Sequence, residues 1–122
     1  MHTKINWFEI PSKDFSRAVK FYEAVFDTKL RVETFGPNEL GIFTVPNGDS
    51  IGGVIHGEDY VPGAGGVVLY LDAGPSIDQV LARIETAGGR IKTGKTALPQ
   101  EMGFVAYFFD TEGNRMALHA MG

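Results

Sequence analysis

The apolar positions of this chain change period at the same point in each half. Residues 4–10 alternate between the two faces of an extended chain, which is typical of a strand. Pro11 is expected to end that strand because proline has no N–H to donate to a ladder. Either Ser12 or Asp14 can cap the helix that should follow. The apolar stripe of that helix, spaced every three or four residues, comprises Ala18, Phe21, Tyr22, Val25 and Phe26.

The second half repeats this plan. Residues 67–71 form another short apolar run, and Pro75 stands where an early helical proline costs no hydrogen bond. Gly88 and Gly89 provide a left-handed cap that should end the second helix. The apolar stripe of this helix comprises Ile77, Val80, Leu81, Ile84 and Ala87.

Three short extended segments follow each predicted helix. Turn residues separate them, and Asn47 with Gly48 is the strongest type of short hairpin signal. Strands joined by hairpins are antiparallel, so the predicted class is α+β, with strand-helix-strand-strand-strand in each half. The six segments are residues 29–35, 40–45, 51–56, 90–93, 104–109 and 115–120.

The length of 122 residues is sufficient for one domain with its own core. We expect a single domain over residues 1–122. Its first module should cover about residues 4–56, a linker about 57–65, and the second module about 66–120.

Composition and charge narrow the possible functions. The net charge is −4 and there is no basic run, which disfavours nucleic acid and anionic membrane surfaces as partners. The chain has no cysteine, hence no disulfide framework and no thiol chemistry. The first residues lack the apolar region of a signal peptide, and no apolar run reaches the roughly 20 residues that span a bilayer. A cytoplasmic protein is therefore expected, with His2 as a solvated terminal residue.

Three segments of the chain resemble the vicinal oxygen chelate superfamily, which includes glyoxalase I, bleomycin resistance proteins and extradiol dioxygenases. The similar segments are residues 10–15, 21–26 and 108–115. Thr111 replaces the usual proline of the last segment, and Asp27 replaces the usual glycine after the first helix. The resemblance implies two βαβββ modules that form a curled, cup-shaped mixed sheet with the helices packed outside. It also implies a homodimer.

Catalytic members of this superfamily hold a divalent metal in the cup, with ligands from the first and last strands of each module. Aligning Ile10 with Leu71 places the first-strand ligand positions at Trp7 and Val68. The last-strand positions then fall at Gly52 and Ala117. None of these side chains can bind a metal ion. The resemblance therefore implies a cup without the usual metal, and no cofactor is expected.

Residues two apart along a strand share a face, so further side chains should line the same cup. The predicted ligand-binding residues are Trp7, Glu9, Gly52, Val54, Val68, Tyr70, Ala117 and His119. Among them, Glu9 and His119 are candidates for a general acid–base pair. The alternative is that Glu9 has a backbone or lysine partner and that His119 lies near a frayed C-terminus.

Other interpretations of the polar and aromatic residues also stay open. Glu9, His56 and His119 would form a displaced metal site if they converged. Trp7 either stacks on a ligand or fills the core. Several other aromatic residues are expected in the core between helix and sheet. They are Phe43, Phe104, Tyr107 and Phe108.

Residues 89–96 match the phosphate-loop pattern GxxxxGK[ST]. That loop binds phosphate only between a strand and the N-terminus of a following helix. Here a helix precedes the pattern and Leu98 and Pro99 follow it, so we expect no nucleotide site.

These observations predict a glyoxalase-like protein that binds a small molecule in its cup without the usual metal. One alternative is a metal-dependent lyase, isomerase or dioxygenase, which needs ligands that the sequence does not supply. Another is a non-catalytic interaction domain that uses its open strand edges. Whether the protein is an enzyme stays open at this point.

Overall fold

The computed structural model describes residues 3–122, so the expectation for His2 lies outside the described residues. Within this range the chain forms eight strands, two α-helices and a short 3₁₀ turn at Pro99–Glu101. The elements are β1 (Phe8–Pro11), α1 (Phe15–Phe26), β2 (Arg31–Phe35), β3 (Asn38–Thr44), β4 (Ser50–His56), β5 (Tyr70–Asp72), α2 (Ile77–Ile84), β6 (Arg90–Ala97), β7 (Phe104–Phe109) and β8 (Arg115–Ala120).

The strands form two open four-stranded sheets, one in each half of the chain. Their strand orders are β1-β4-β3-β2 and β5-β8-β7-β6. In each sheet the first pair is parallel and the other pairs are antiparallel. The predicted α+β class and the two curled βαβββ modules are therefore confirmed, although the expected continuous sheet is present as two.

The turn between β1 and α1 follows the sequence prediction, since β1 ends at Pro11. Pro11 belongs to β1 and pairs with Ile55, because an edge strand tolerates a residue without an N–H at its end. Asp14, not Ser12, caps α1, and its Oδ1 accepts from the N–H of Arg17 at 3.1 Å. The hydroxyl of buried Ser12 donates to the carbonyl oxygen of Ile55 at 2.9 Å.

Two strand boundaries differ from the prediction. β5 begins only at Tyr70, and Val67 before it is 94% exposed, so an apolar run alone did not define the strand. β6 extends to Ala97 because it pairs with β7 across two register shifts. Residues 94–96 of the phosphate-loop pattern lie in β6, which leaves no helix N-terminus at that place.

Both helices pack on the same core as the two sheets. The largest fully buried side chains include Tyr22 and Phe21 of α1, Ile77 and Ile84 of α2, and Phe108 of β7. Fully burying side chains of this size contributes about 1.5–3 kcal/mol each. The opposite, concave faces of the sheets are consequently the ones available for binding. Among residues 3–122, no helix is long and apolar enough to cross a membrane.

The turn between β7 and β8 joins the two modules. This acidic hairpin, residues 110–114, contacts the β1–α1 turn through Glu112, whose side chain is fully buried. Its carboxylate accepts from the backbone N–H groups of Lys13 and Asp14 at 2.8 and 2.7 Å and from Arg17 at 2.8 Å. A module-two carboxylate therefore satisfies the backbone donors just before the module-one helix and pairs with Arg17 in its first turn.

Candidate functional site

The concave face of module two carries two rows of paired side chains. Tyr70, Ala117 and Tyr107 form one row across β5, β8 and β7. Asp72, His119 and Val105 form the next row, since each lies two residues from its neighbour on the same strand. The predicted Tyr70, Ala117 and His119 therefore share one face. Val68 lies before β5 and is partly buried.

These rows line an open cavity of about 460 Å³. That volume lies within the range of ligand pockets, roughly 300–1,000 Å³. The lining residues are Tyr70, Asp72, Leu98, Met102, Val105, Tyr107 and His119. The cavity thus combines aliphatic and aromatic walls with a few polar groups.

Two tyrosines form one wall of this cavity. The hydroxyls of Tyr70 and Tyr107 lie 2.6 Å apart, and the rings meet edge to face with centroids 5.8 Å apart. The hydrogen bond between Tyr70 and Tyr107 raises the pKa of Tyr70 above its usual value, with a further contribution from burial. Ala117, between them in the same row, has no exposed surface. A small residue is needed there because the two tyrosines flank it.

His119 is held by the loop over residues 98–103. Its Nε2 lies 2.8 Å from the carbonyl oxygen of Met102, which can only accept, so Nε2 donates. In the neutral ring, Nδ1 is then left as a hydrogen-bond acceptor. The loop carries backbone strain beside this contact, because Gln100 and Glu101 have φ angles of 59° and 56°. Strained backbone of this kind often accompanies binding sites.

Module one presents a different concave face. Glu9 pairs with Gly53, whereas Gly52 pairs with Phe8 and Val54 with Ile10. Paired residues point to the same side of a sheet, so Gly52 and Val54 face the helix side and not the cup. Their placement in the predicted cup is wrong. Glu9 is exposed, and its carboxylate lies 3.4 Å from the Nε1–H of Trp7, which is 39% exposed.

A model of the Glyoxalase/Bleomycin resistance protein/Dioxygenase superfamily matches residues 4–118 of the chain. The chain belongs to this superfamily. A curated relative, a glyoxylase-like domain-containing protein from Didymella fabae, is 30% identical and aligns over 97% of this chain and 94% of its own length.

Solved structures of the superfamily share the fold. A glyoxylase/bleomycin resistance protein/dioxygenase domain from Frankia sp. EAN1pec has a TM-score of 0.74 at 16% identity and covers 98% of both chains. The fosfomycin resistance protein FosX from Listeria monocytogenes has a TM-score of 0.72 at 19% identity, covering 98% of this chain and 92% of its own. The chain spans only 45% of the length of glyoxalase I from Zea mays. Identities this low establish the fold alone.

The superfamily's metal positions can now be assigned with the observed register. Because Glu9 pairs with Gly53 as Tyr70 pairs with Ala117, the last-strand position of module one is Gly53 and not Gly52. The four positions are Trp7, Gly53, Val68 and Ala117, which supply no metal ligand. A Cβ at Gly53 would lie 2.7 Å from the carbonyl oxygen of Gly41, so backbone also occupies the space of a ligand there. The residues present do not fit the superfamily's metal.

The displaced metal site is contradicted by the structure. His56 faces α1, with Nδ1 2.9 Å from the carbonyl oxygen of Ser12, while His119 lies in the module-two cavity. Glu9 lines a third cavity. Within residues 3–122, no three His, Asp or Glu side chains are placed to hold a metal ion. The predicted acid–base pair of Glu9 and His119 is likewise divided between separate cavities.

Sequence analysis missed the role of Tyr107 and assigned it to the core. Phe43 and Phe108 are buried there, but Tyr107 faces the cavity beside Tyr70. The signal was available: in β7, Tyr107 alternates with buried Ala106 and Phe108 and has a polar end. Asp72 was also missed, since it lies just beyond the apolar run that predicted β5.

Proposed function

We propose that this superfamily member binds a small organic molecule on the concave face of module two, without a resident divalent metal. The observation that supports this most is the 460 Å³ cavity, which combines apolar walls with convergent polar groups. The four residues at the superfamily's metal positions provide no metal ligand. Loss of the ligand set also leaves a metal-dependent lyase, isomerase or dioxygenase without support.

The polar groups of the cavity favour a ligand that donates hydrogen bonds. Nδ1 of neutral His119 is an acceptor, and Asp72 is a carboxylate whose Oδ1 already accepts from the N–H of Gly74 at 2.8 Å. The described residues that line the cavity include no lysine or arginine. An anion would therefore meet a carboxylate and no cation among the lining residues. A neutral or cationic donor with a flat apolar body fits better, because the faces of Tyr70 and Tyr107 can stack on it.

A thermal-shift screen in the presence of EDTA tests this proposal, since a ligand that binds only the native state raises the melting temperature. Benzylamine, phenol and benzoate represent a cation, a neutral donor and an anion of similar shape, alongside metabolites and antibiotics. Stabilisation by benzylamine and phenol should weaken in Tyr107→Phe and His119→Gln, whereas any stabilisation by benzoate should be unchanged in these two variants. Tyr60→Phe in the linker, outside the cavity, is the matched control. A shift that appears only after a divalent metal is added would overturn the proposal, and no shift with any compound would favour the interaction domain.

The homodimer and the cytoplasmic location stay predictions. Exposed apolar side chains on the described surface, such as Val61 and Val67, and the open edges of both sheets support self-association. Light scattering should give the dimer mass at micromolar concentration. A monomer mass would count against the dimer.

A further inference from the structure

The cavity that Glu9 lines lies at the boundary between the modules, where β1, the linker and the start of β8 meet. This seam cavity has a volume of about 270 Å³ and is lined mainly by apolar groups. Phe8, Leu69 and Met116 are among its apolar lining residues, and Glu9 and Arg115 are its charged residues. It shares no lining residue with the module-two cavity.

Arg115 has an unusual environment in this cavity. Its Nε is buried and has no hydrogen-bond partner among residues 3–122. Within the same range, no carboxylate lies within 4.0 Å of its guanidinium. The other arginines differ, as the following contacts show: Arg17 pairs with Glu112, Arg31 with Glu33, Arg83 donates to the carbonyl of Val25, and Arg90 lies over the Phe109 ring.

A partly buried cation without a partner is costly, because desolvation is not offset by any hydrogen bond. Glu9 is the nearby candidate, but its carboxylate is exposed and its described contact is the indole of Trp7. The guanidinium therefore has donors free to receive an acceptor that enters the seam cavity. We propose that the seam cavity binds a small monocarboxylate through Arg115.

The chemistry of the cavity selects a carboxylate over a phosphate. One guanidinium balances one negative charge, and its planar fork matches the two oxygens of a carboxylate. Glu9 at the same cavity would repel a dianion. The walls formed by Phe8, Leu69 and Met116 suit a short hydrocarbon or aromatic tail on the bound acid.

NMR titration of the ¹⁵N-labelled protein tests this directly, using benzoate, acetate and inorganic phosphate as probes. The Arg115 Nε–H signal, identified by its loss in Arg115→Lys, should shift saturably with benzoate, less with acetate, and little with phosphate. Arg115→Gln should weaken benzoate binding on the order of tenfold or more. Arg90→Gln makes the same charge change outside the cavity and should leave binding unchanged.

Glu9→Gln separates the proposal from an internal ion pair. If a monocarboxylate is the partner, this variant should bind benzoate equally or more tightly, because a repelling charge is removed. The proposal is overturned if the Arg115 signal responds to Glu9→Gln but not to benzoate in either protein. A full spectrum of each variant confirms its fold, and the wild-type titration decides the question even if Arg115→Gln unfolds. Failure here leaves the module-two cavity untouched, since the two share no residue.

Discussion

At the residue scale, Glu112 shows how one side chain can tie two modules together. Burial alone would raise the pKa of its carboxyl, but hydrogen bonds from Arg17, the Asp14 N–H, Thr111 and the Lys13 N–H lower that pKa to about 2. A carboxyl whose pKa is lowered by folding stabilises the protein at pH values above its unfolded-state pKa, which is near 4.5. That contribution is lost as the pH falls from about 4.5 towards 2.

Glu112→Gln should therefore destabilise the protein by about 2 kcal/mol at pH 7, less than the full pKa shift implies, because Arg17 is half exposed and solvent screens the pair. The difference from wild type should shrink as the pH falls from 4.5 towards 2, because the wild-type carboxylate is being protonated. Urea unfolding at several pH values measures this. Glu58→Gln, at an exposed loop position, is the control. A constant difference between pH 7 and pH 2.5 would contradict the account.

Ala117→Glu tests the placement of the module-two face. The new side chain would enter a fully buried position flanked by Tyr70 and Tyr107, and burial should raise the pKa of its carboxyl. Since the ionised form is better tolerated in the unfolded chain, the variant should lose stability as the pH rises through that raised pKa. Urea melts at pH 5 and pH 8 should show more destabilisation at pH 8. Ala64→Glu, in an exposed loop, should have a stability within about 0.5 kcal/mol of wild type. If Ala117→Glu is as stable as Ala64→Glu at both pH values, the placement of Ala117 on the buried face is wrong.

At the element scale, the loop over residues 98–103 holds the orientation of His119. Gly103 has a φ of 94°, and a Cβ there would collide with the carbonyl oxygen of Ala120 and lie 3.1 Å from Nε2 of His119. Only glycine is free of both penalties.

Gly103→Ala should destabilise the protein by more than about 1 kcal/mol and move the ring signals of His119. Gly94→Ala is the matched control, because a Cβ at Gly94 meets no atom within 4 Å and its φ is ordinary. Thermal unfolding and histidine NMR signals provide the measurement. If both variants leave the His119 signals unchanged, the loop does not position the ring.

The sequence could predict those elements whose faces are marked by large apolar side chains. The stripes of α1 and α2 were readable because large apolar side chains such as Tyr22 and Ile84 recur at helical spacing. Which residues of β4 face the cup could not be predicted, since Gly52 and Gly53 have no side chains to mark a face. Its true register appeared only with the pairing of Glu9 and Gly53. Tyr107 was assigned to the core because its strand is strongly aromatic, although its hydroxyl and its alternation with Phe108 indicated the opposite face.

At the scale of the whole molecule, the acidic hairpin and the shared core couple the modules. Tyr22 of α1 donates to Asp110 at 2.6 Å, and the side chain of Asn114 donates to the carbonyl of Pro11 at 2.8 Å. Contacts of this kind link residues from opposite ends of the chain. The modules should therefore fold and unfold together.

Urea unfolding should accordingly give one midpoint for both modules. Fluorescence of Trp7 reports on module one, and amide NMR signals of Ile84 and Leu118 report on module two. Coincident transitions are expected. Separate midpoints would show that the modules are independent units and that the hairpin contacts contribute little.

The proposed absence of a resident metal is tested by the metal content of the protein, because Trp7, Gly53, Val68 and Ala117 stand where the superfamily places its ligands. The protein would be purified without chelator, incubated with Mn²⁺, Ni²⁺ or Zn²⁺, desalted, and measured by plasma mass spectrometry. The protein should retain far less than one equivalent of any of these ions, since a stable site needs several preformed donors. Retention of about one equivalent per chain, lost on treatment with chelator, would contradict the proposal.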